Sequence, residues 1–159
     1  MPLPDNPKRP KPQMGARMGI AVSSEAELID LLKTEDPEAV ARLRELWPRH
    51  AAMMTGDGMV KPDIPFPVRS NWEANVSRWM RHHKILHDYE MVRVPLTGLR
   101  AYVPDFWAVQ AGIWIEVKGL WMAGAKAKVR QFVSEYPDQK IIVLDRDYYR
   151  MLTPVEGWE

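Results

Sequence analysis

Apolar and polar positions along this chain recur with two periods, and the change of period marks out the elements. Trp72, Val76, Trp79, Met80 and His83 fall at helical spacing and form one stripe of an amphipathic helix ending near His83. Ser70 precedes it with Glu73 three positions on, a capping-box pair that fixes where the helix begins. The period then drops to two. Segments 85–94, 101–109 and 112–118 read as strands, joined by turns around Thr97-Gly98 and from Gln110 to Gly112. Helical spacing returns from Met122 to Glu135, and the apolar run Lys140 to Leu144 reads as a buried strand. The order over this part is α-β-β-β-α-β, so the expected fold class is α/β (α+β), a mixed sheet flanked by helices.

Upstream, two shorter stripes are visible. Ser24 caps a helix carrying Leu28, Leu31 and Leu32, with Glu27 reaching back from its third position. Asp36 caps a second, with Pro37 in its first turn and Val40, Leu43 and Trp47 as its stripe, ending near Pro48. Helices this short cannot stand alone, so they are expected to pack on the main domain or on a second subunit. Residues 1–19 are basic, proline-containing and aperiodic, and read as a flexible arm. Residues 51–68 read as a Pro/Gly-rich linker. The expected organisation is a basic arm (1–19), a helical N-terminal extension and candidate dimerisation element (20–50), a linker (51–68) and the main domain (69–159).

Composition changes this picture in three places. An apolar fraction of 46% with seven Trp in 159 residues suits a globular fold. No apolar run approaches the ~20 residues of a membrane span, and the start lacks the apolar core of a signal peptide. Zero cysteine excludes disulfides and Cys-ligated zinc, and makes the cytoplasm, a host's if the source is viral, the expected location. Charge is uneven: residues 66–130 hold ten Lys and Arg against five Asp and Glu. Clustered basicity of this kind is the footprint of a nucleic-acid contact surface, although it also occurs on ordinary proteins.

The third strand-like segment carries unexpected charges. Residues two apart on a strand share a face, so Glu116 and Lys118 project together with Trp114 while Ile113, Ile115 and Val117 turn into a core. A tight turn at Gln110-Ala111 would set Asp105 opposite Glu116 on that same face, with Pro104 marking an edge or bend. One reading is an exposed ion network on the solvated side of a sheet, worth little energetically. The other is a hard-cation site. Two carboxylates suit Mg²⁺, a phosphodiester would complete its ligands, and a nearby lysine could orient or deprotonate the attacking water.

Pro104-Asp105, Glu116 eleven positions after the Asp, then Val117-Lys118-Gly119 together resemble the signature of PD-(D/E)XK nucleases. Arg69-Ser70-x-Trp72-Glu73, Tyr102-x-Pro104-Asp105-Phe106 and Glu116-x-Lys118-Gly119-Leu120-Trp121 resemble the phage endonuclease I group of Holliday-junction resolvases within them. The likeness covers about residues 68–145, with Trp72 where that group usually has an aliphatic residue. It implies that Asp105 and Glu116 bind the metal, that the Val117 carbonyl adds a ligand, and that Lys118 helps activate water. Glu73 would be the fourth catalytic residue and a further candidate for the metal, although its place in a capping box explains it without catalysis. The cofactor implied is Mg²⁺, with Mn²⁺ as substitute and no nucleotide. The activity implied is structure-selective cleavage of four-way DNA junctions by a homodimer, since two symmetric nicks call for a two-fold assembly. Residues 69–159 then form the nuclease domain. Two alternatives remain open. One is another nuclease on the same core, cutting restriction sites, mismatches or transposon ends. The other is a non-catalytic nucleic-acid-binding module.

Arg69, Arg78, Arg81, Lys126 and Arg130 are candidate DNA contacts, with Lys128 on another face of its helix. Trp121 is a candidate for stacking on unpaired bases, whereas Trp107 and Trp114 more simply wall a core. His83 and His87 have the i, i+4 spacing of metal ligands, but a helix ending at His83 breaks that geometry and no third ligand follows.

Overall fold

The computed structural model describes residues 18–47 and 58–159. Most of the expected arm and much of the expected linker lie outside the described residues. A four-stranded mixed sheet forms the centre: β1 (His87–Tyr89), β2 (Phe106–Ala108), β3 (Ile113–Val117) and β4 (Lys140–Leu144) lie side by side in that order. The first two pairings are antiparallel and β3 pairs parallel with β4. That parallel step needs a crossover, and the helix between the two strands supplies it. Five helices accompany the sheet among the described residues: α1 (Glu25–Lys33), α2 (Pro37–Leu46), α3 (Asn71–His82), α4 (Ala125–Glu135) and α5 (Arg146–Met151).

Helix starts follow local chemistry. The hydroxyls of Ser24 and Ser70 accept the N–H of Glu27 and Glu73, each at 3.1 Å, and Asp36 accepts that of Ala39 at 3.1 Å. The reciprocal half of each capping box differs from expectation. Glu27 reaches the N–H and hydroxyl of Ser23 rather than Ser24. Glu73 accepts from the Ser70 hydroxyl at 2.9 Å, which leaves its other oxygen for a distant partner. The strands are shorter than the alternation suggests. Glu90 sits in the left-handed region at φ 45°, which ends β1, and the strand pattern resumes only as a single bridge from Val94 to Tyr102.

Both faces of the sheet are covered. On one face Phe106, Ala108, Ile113, Ile115, Val117, Ile142 and Leu144 meet Leu28 and Leu32 of α1 and Val76, Trp79 and Met80 of α3. On the other, Trp107, Trp114, Ile141 and Val143 meet Leu43 of α2 and Val129 and Phe132 of α4. The Trp114 side was expected to be open and charged. It is closed because α2 and α4 both lay their apolar stripes on it, with Trp47 edge-on to Trp114 at 6.1 Å. The helices of the N-terminal extension are therefore layers of the same body.

Three further differences have local causes. Met18 is fully buried and Gly19 abuts the Ile141 carbonyl, so the chain is anchored where the arm was expected to continue. Residues 58–68 include a Met59–Val68 bridge and the buried Ile64 and Val68, more than a spacer would hold. The helix α5 had no counterpart in the sequence pattern. Asp145 caps it, and Tyr148 and Tyr149 pack on the first cluster.

Gly112 closes the β2–β3 turn at φ 65°, and a Cβ there would stand 2.5 Å from that of Ala39 on α2. Gly112→Ala should therefore lower unfolding free energy by roughly 1–3 kcal/mol in urea melts, combining backbone strain with overpacking. A neutral result would show that the turn and α2 separate freely.

Candidate active site

The β2–β3 register pairs Phe106 with Ile115, and one further step along it brings Asp105 opposite Glu116. The Asp105 N–H donates to Glu116 Oε1 at 3.3 Å, and the Val117 N–H donates to Asp105 Oδ2 at 2.8 Å. Lys118 extends on the same side and holds its Nζ 3.4 Å from Glu116 Oε2. This ion pair is not on a solvated face: Glu116 is only 3% exposed. The three side chains sit in the floor and wall of a cleft of about 680 Å³ that Arg69, Arg100, Tyr102 and Lys128 also line.

Burial governs the electrostatics. An ionised carboxylate taken out of water costs several kcal/mol unless something replaces its hydration. Burial first, then the neighbouring Glu116 and Glu73 charges, push the Asp105 carboxyl well above its usual range, against the pull of the Val117 N–H and Lys118. Glu116 is raised by burial, with Lys118 the largest opposing influence. For Lys118 burial works to lower the ammonium, but the Glu116 and Asp105 charges outweigh it and hold its pKa above the ordinary value. One lysine thus faces two buried acids. The surplus is met by a proton or by a further cation, and a set made only of carboxylate oxygens suits a hard divalent ion.

Glu73 comes from the other side of the sheet, on α3, and its two oxygens are held: Tyr89 donates to Oε1 at 2.6 Å and Ser70 to Oε2. Burial raises its carboxyl despite these two donors. It acts electrostatically on Asp105 and Lys118. Among the described residues no three His, Asp or Glu side chains are arranged to hold a metal together, so Glu73 stands as a neighbour of the pair.

The expected DNA contacts scatter. Arg69 lines the cleft and makes a two-pronged ion pair with Glu90, Nε to Oε1 at 2.6 Å and Nη2 to Oε2 at 3.1 Å. Arg78 was expected on a DNA-facing surface. It is instead 4% exposed, its guanidinium taken by Asp63, Asn75 and Glu159. Arg81 also turns to Asp63, its side chain half exposed beside a separate depression containing Gly157. Lys126 lies over the Trp121 ring, 5.6 Å from its centroid, and Arg130 is exposed. Neither Lys126 nor Arg130 lines the cleft, whereas Lys128 does. Which face of this helix meets the cleft follows from its docking on the sheet through Val129 and Phe132, which leaves Lys128 on the cleft side. His87 bonds Ser77 and the Ile85 carbonyl, so its ring is satisfied within the fold and not set beside His83 as a ligand pair.

Sequence reasoning missed Tyr89, Arg100, Tyr102 and Lys128. Tyr102 stood inside the quoted Tyr-x-Pro-Asp string, but nothing in spacing alone tells a buried phenol from a wall residue. Trp107 and Trp114 do share the face of Asp105 and Glu116, as core residues 4.5 Å apart. No family model, no curated protein and no solved structure matches the chain.

Because the native Asp105 and Glu116 carboxyls are raised above their ordinary 3.8 and 4.5, they retain protons that the unfolded chain has already released. Their share of stability is complete below those values and is lost as pH rises through the native ones. In chelator-treated thermal melts between about pH 4 and pH 9, Asp105→Asn should flatten that decline and melt above wild type at the alkaline end. An Asp105→Asn protein that melts below wild type throughout would contradict this electrostatic account.

Proposed function

We propose that the chain is a divalent-metal-dependent DNA endonuclease built on a PD-(D/E)XK core, acting on four-way junctions. The observation that carries this reading is the buried Asp105–Glu116 pair with Lys118 beside it, in a cleft whose other charged walls are largely basic. The α-β-β-β-α-β order from α3 to β4 supports the core assignment. A binding module has no use for two buried acids where a phosphate would lie, so the pair favours catalysis over the non-catalytic alternative.

Asp105 and Glu116 would hold the Mg²⁺ or Mn²⁺ ion, with the Val117 carbonyl as a further ligand. Bound there, the cation supplies charge neutralisation at the scissile phosphate and a more acidic water. Lys118 stays charged beside the two acids, which suits it to stabilise negative charge developing on the phosphate rather than to take a proton. The Val117 N–H fixes one Asp105 oxygen and so orients the carboxylate toward the cleft. Glu73, locked by Tyr89 and Ser70, shapes the field at Asp105 and is the least direct of the four. Arg69, Arg100 and Lys128 would track backbone phosphates, and Trp121, under Lys126 and outside the cleft lining, would meet unpaired bases further out. Lys126 and Arg130 fall to outer contacts.

Two symmetric cuts require two such sites, so the working unit is a homodimer. The buried stripes of α1 and α2 are already occupied by Leu28, Leu32 and Leu43 within one chain, and the seam would draw on other surface.

With Mg²⁺, wild type should place paired symmetric nicks on a fixed four-way junction in preference to mismatched or linear duplex. Asp105→Ala and Lys118→Ala should still shift the junction in a gel while cutting at least about a hundredfold more slowly. Cleavage retained by Asp105→Ala removes the mechanism. Preference for a linear recognition sequence replaces the junction with another substrate on the same chemistry.

A further inference from the structure

One polar atom in the cleft lacks a partner. Tyr102 is 4% exposed, and among the described residues its hydroxyl is the one buried side-chain oxygen or nitrogen with no hydrogen bond. Buried hydroxyls are normally paired, because an unpaired one forfeits the bonds water would give it. The ring cannot swing away to find them. Its backbone exchanges two hydrogen bonds with Val94, at 2.7 and 2.8 Å, and its edge meets Phe132 with centroids 5.4 Å apart.

The position of this hydroxyl is informative. Tyr102 lines the same cleft as Asp105, Glu116 and Lys118. It lies close enough to the Glu116 carboxylate to feel both its charge and a hydrogen-bonding pull, yet the contact falls short of normal hydrogen-bond geometry. Tyr89 shows the alternative, since its hydroxyl already holds Glu73 at 2.6 Å in the resting protein. Packing alone asks for a phenylalanine at 102, because the ring contacts belong to the apolar second cluster. The oxygen is the part that packing leaves unexplained, and a phenol at neutral pH has a proton to donate.

We infer that the Tyr102 hydroxyl donates a hydrogen bond to an oxygen carried into the cleft with a divalent cation. That oxygen is either a water of the cation's hydration shell or a non-bridging oxygen of a phosphate. In the first case Tyr102 is a positioning residue acting through water; in the second it touches substrate directly. The inference rests on the reading of the cleft as a cation site, and adds a member outside the two acids and the lysine.

Tyr102→Phe deletes the oxygen and keeps the ring. Mn²⁺ titrated into metal-free protein, followed by electron paramagnetic resonance, reads the water alternative. Thymidine monophosphate titrated into Mg²⁺-saturated protein reads the phosphate alternative. Affinity should fall about tenfold in the first titration if the oxygen is water, or in the second alone if it belongs to phosphate. The metal-free variant should melt at or above wild type, since the resting hydroxyl has no bond to lose and its uncompensated burial is relieved. Equal affinities in both titrations overturn the inference. A clear drop in the variant's metal-free melting temperature also overturns it, by showing that the hydroxyl is already bonded in the resting protein. Wild type that binds no Mn²⁺ overturns the cation-site reading and this inference together, whereas normal wild-type binding with an unchanged variant overturns the inference alone.

Discussion

The site depends on the antiparallel register of β2 and β3. Side chains alternate across a strand, so a slip of one residue would send Asp105 and Glu116 to opposite faces and dissolve the pair. The register is held from both sides of the sheet. Phe106, Ala108, Ile113 and Ile115 lock it into the first cluster, while Trp107 against Trp114 locks it into the second. At one end Gly112 turns the chain tightly enough for α2 to lie over it. At the other, the Asp105 and Val117 N–H groups tie each acid to the opposite strand.

Placing two acids there works against stability, and the surroundings offset it only in part. Lys118 neutralises one charge, the Val117 N–H solvates one oxygen, and the Tyr102 hydroxyl beside them is left unpaired. The cluster of Trp107, Trp114, Phe132 and Tyr136 beneath makes the imbalance tolerable, because burying large aromatic surface is the strongest favourable contribution available to a chain this size. An imbalance at a site, held by a firm core below it, is the arrangement in which a bound cation gains most from the protein.

Glu73 shows how two layers meet at one end of the sheet. Its helix belongs to the first face, yet its charge is felt by Asp105 on the second. The Tyr89 and Ser70 hydroxyls decide its orientation, so its influence reaches the cleft through the field rather than through a free oxygen. Arg78 illustrates the opposite outcome. A helix arginine that looks solvent-facing by composition is drawn inward by Asp63 and Glu159, acids far from it along the chain.

The local elements were legible because their causes are local. Ser24, Asp36 and Ser70 announce helix starts, and the alternation through Ile113–Val117 assigns Glu116 and Lys118 to one face. With a short turn before it, that alternation also brings Asp105 opposite Glu116. Tertiary packing decided the rest. It turned a face expected to be solvated into a buried one, since whether α2 and α4 cover it depends on stripes far apart in the chain. It ended β1 at Glu90, whose left-handed backbone no periodicity foretells. It moved the cleft's cations from Lys126 and Arg130 to Arg100 and Lys128, because the face that a helix presents follows from where it docks. The sequence by itself determined which charges stand together; only the fold determined that they stand together out of water, and burial is what turns an ordinary ion pair into a site with a chemical demand.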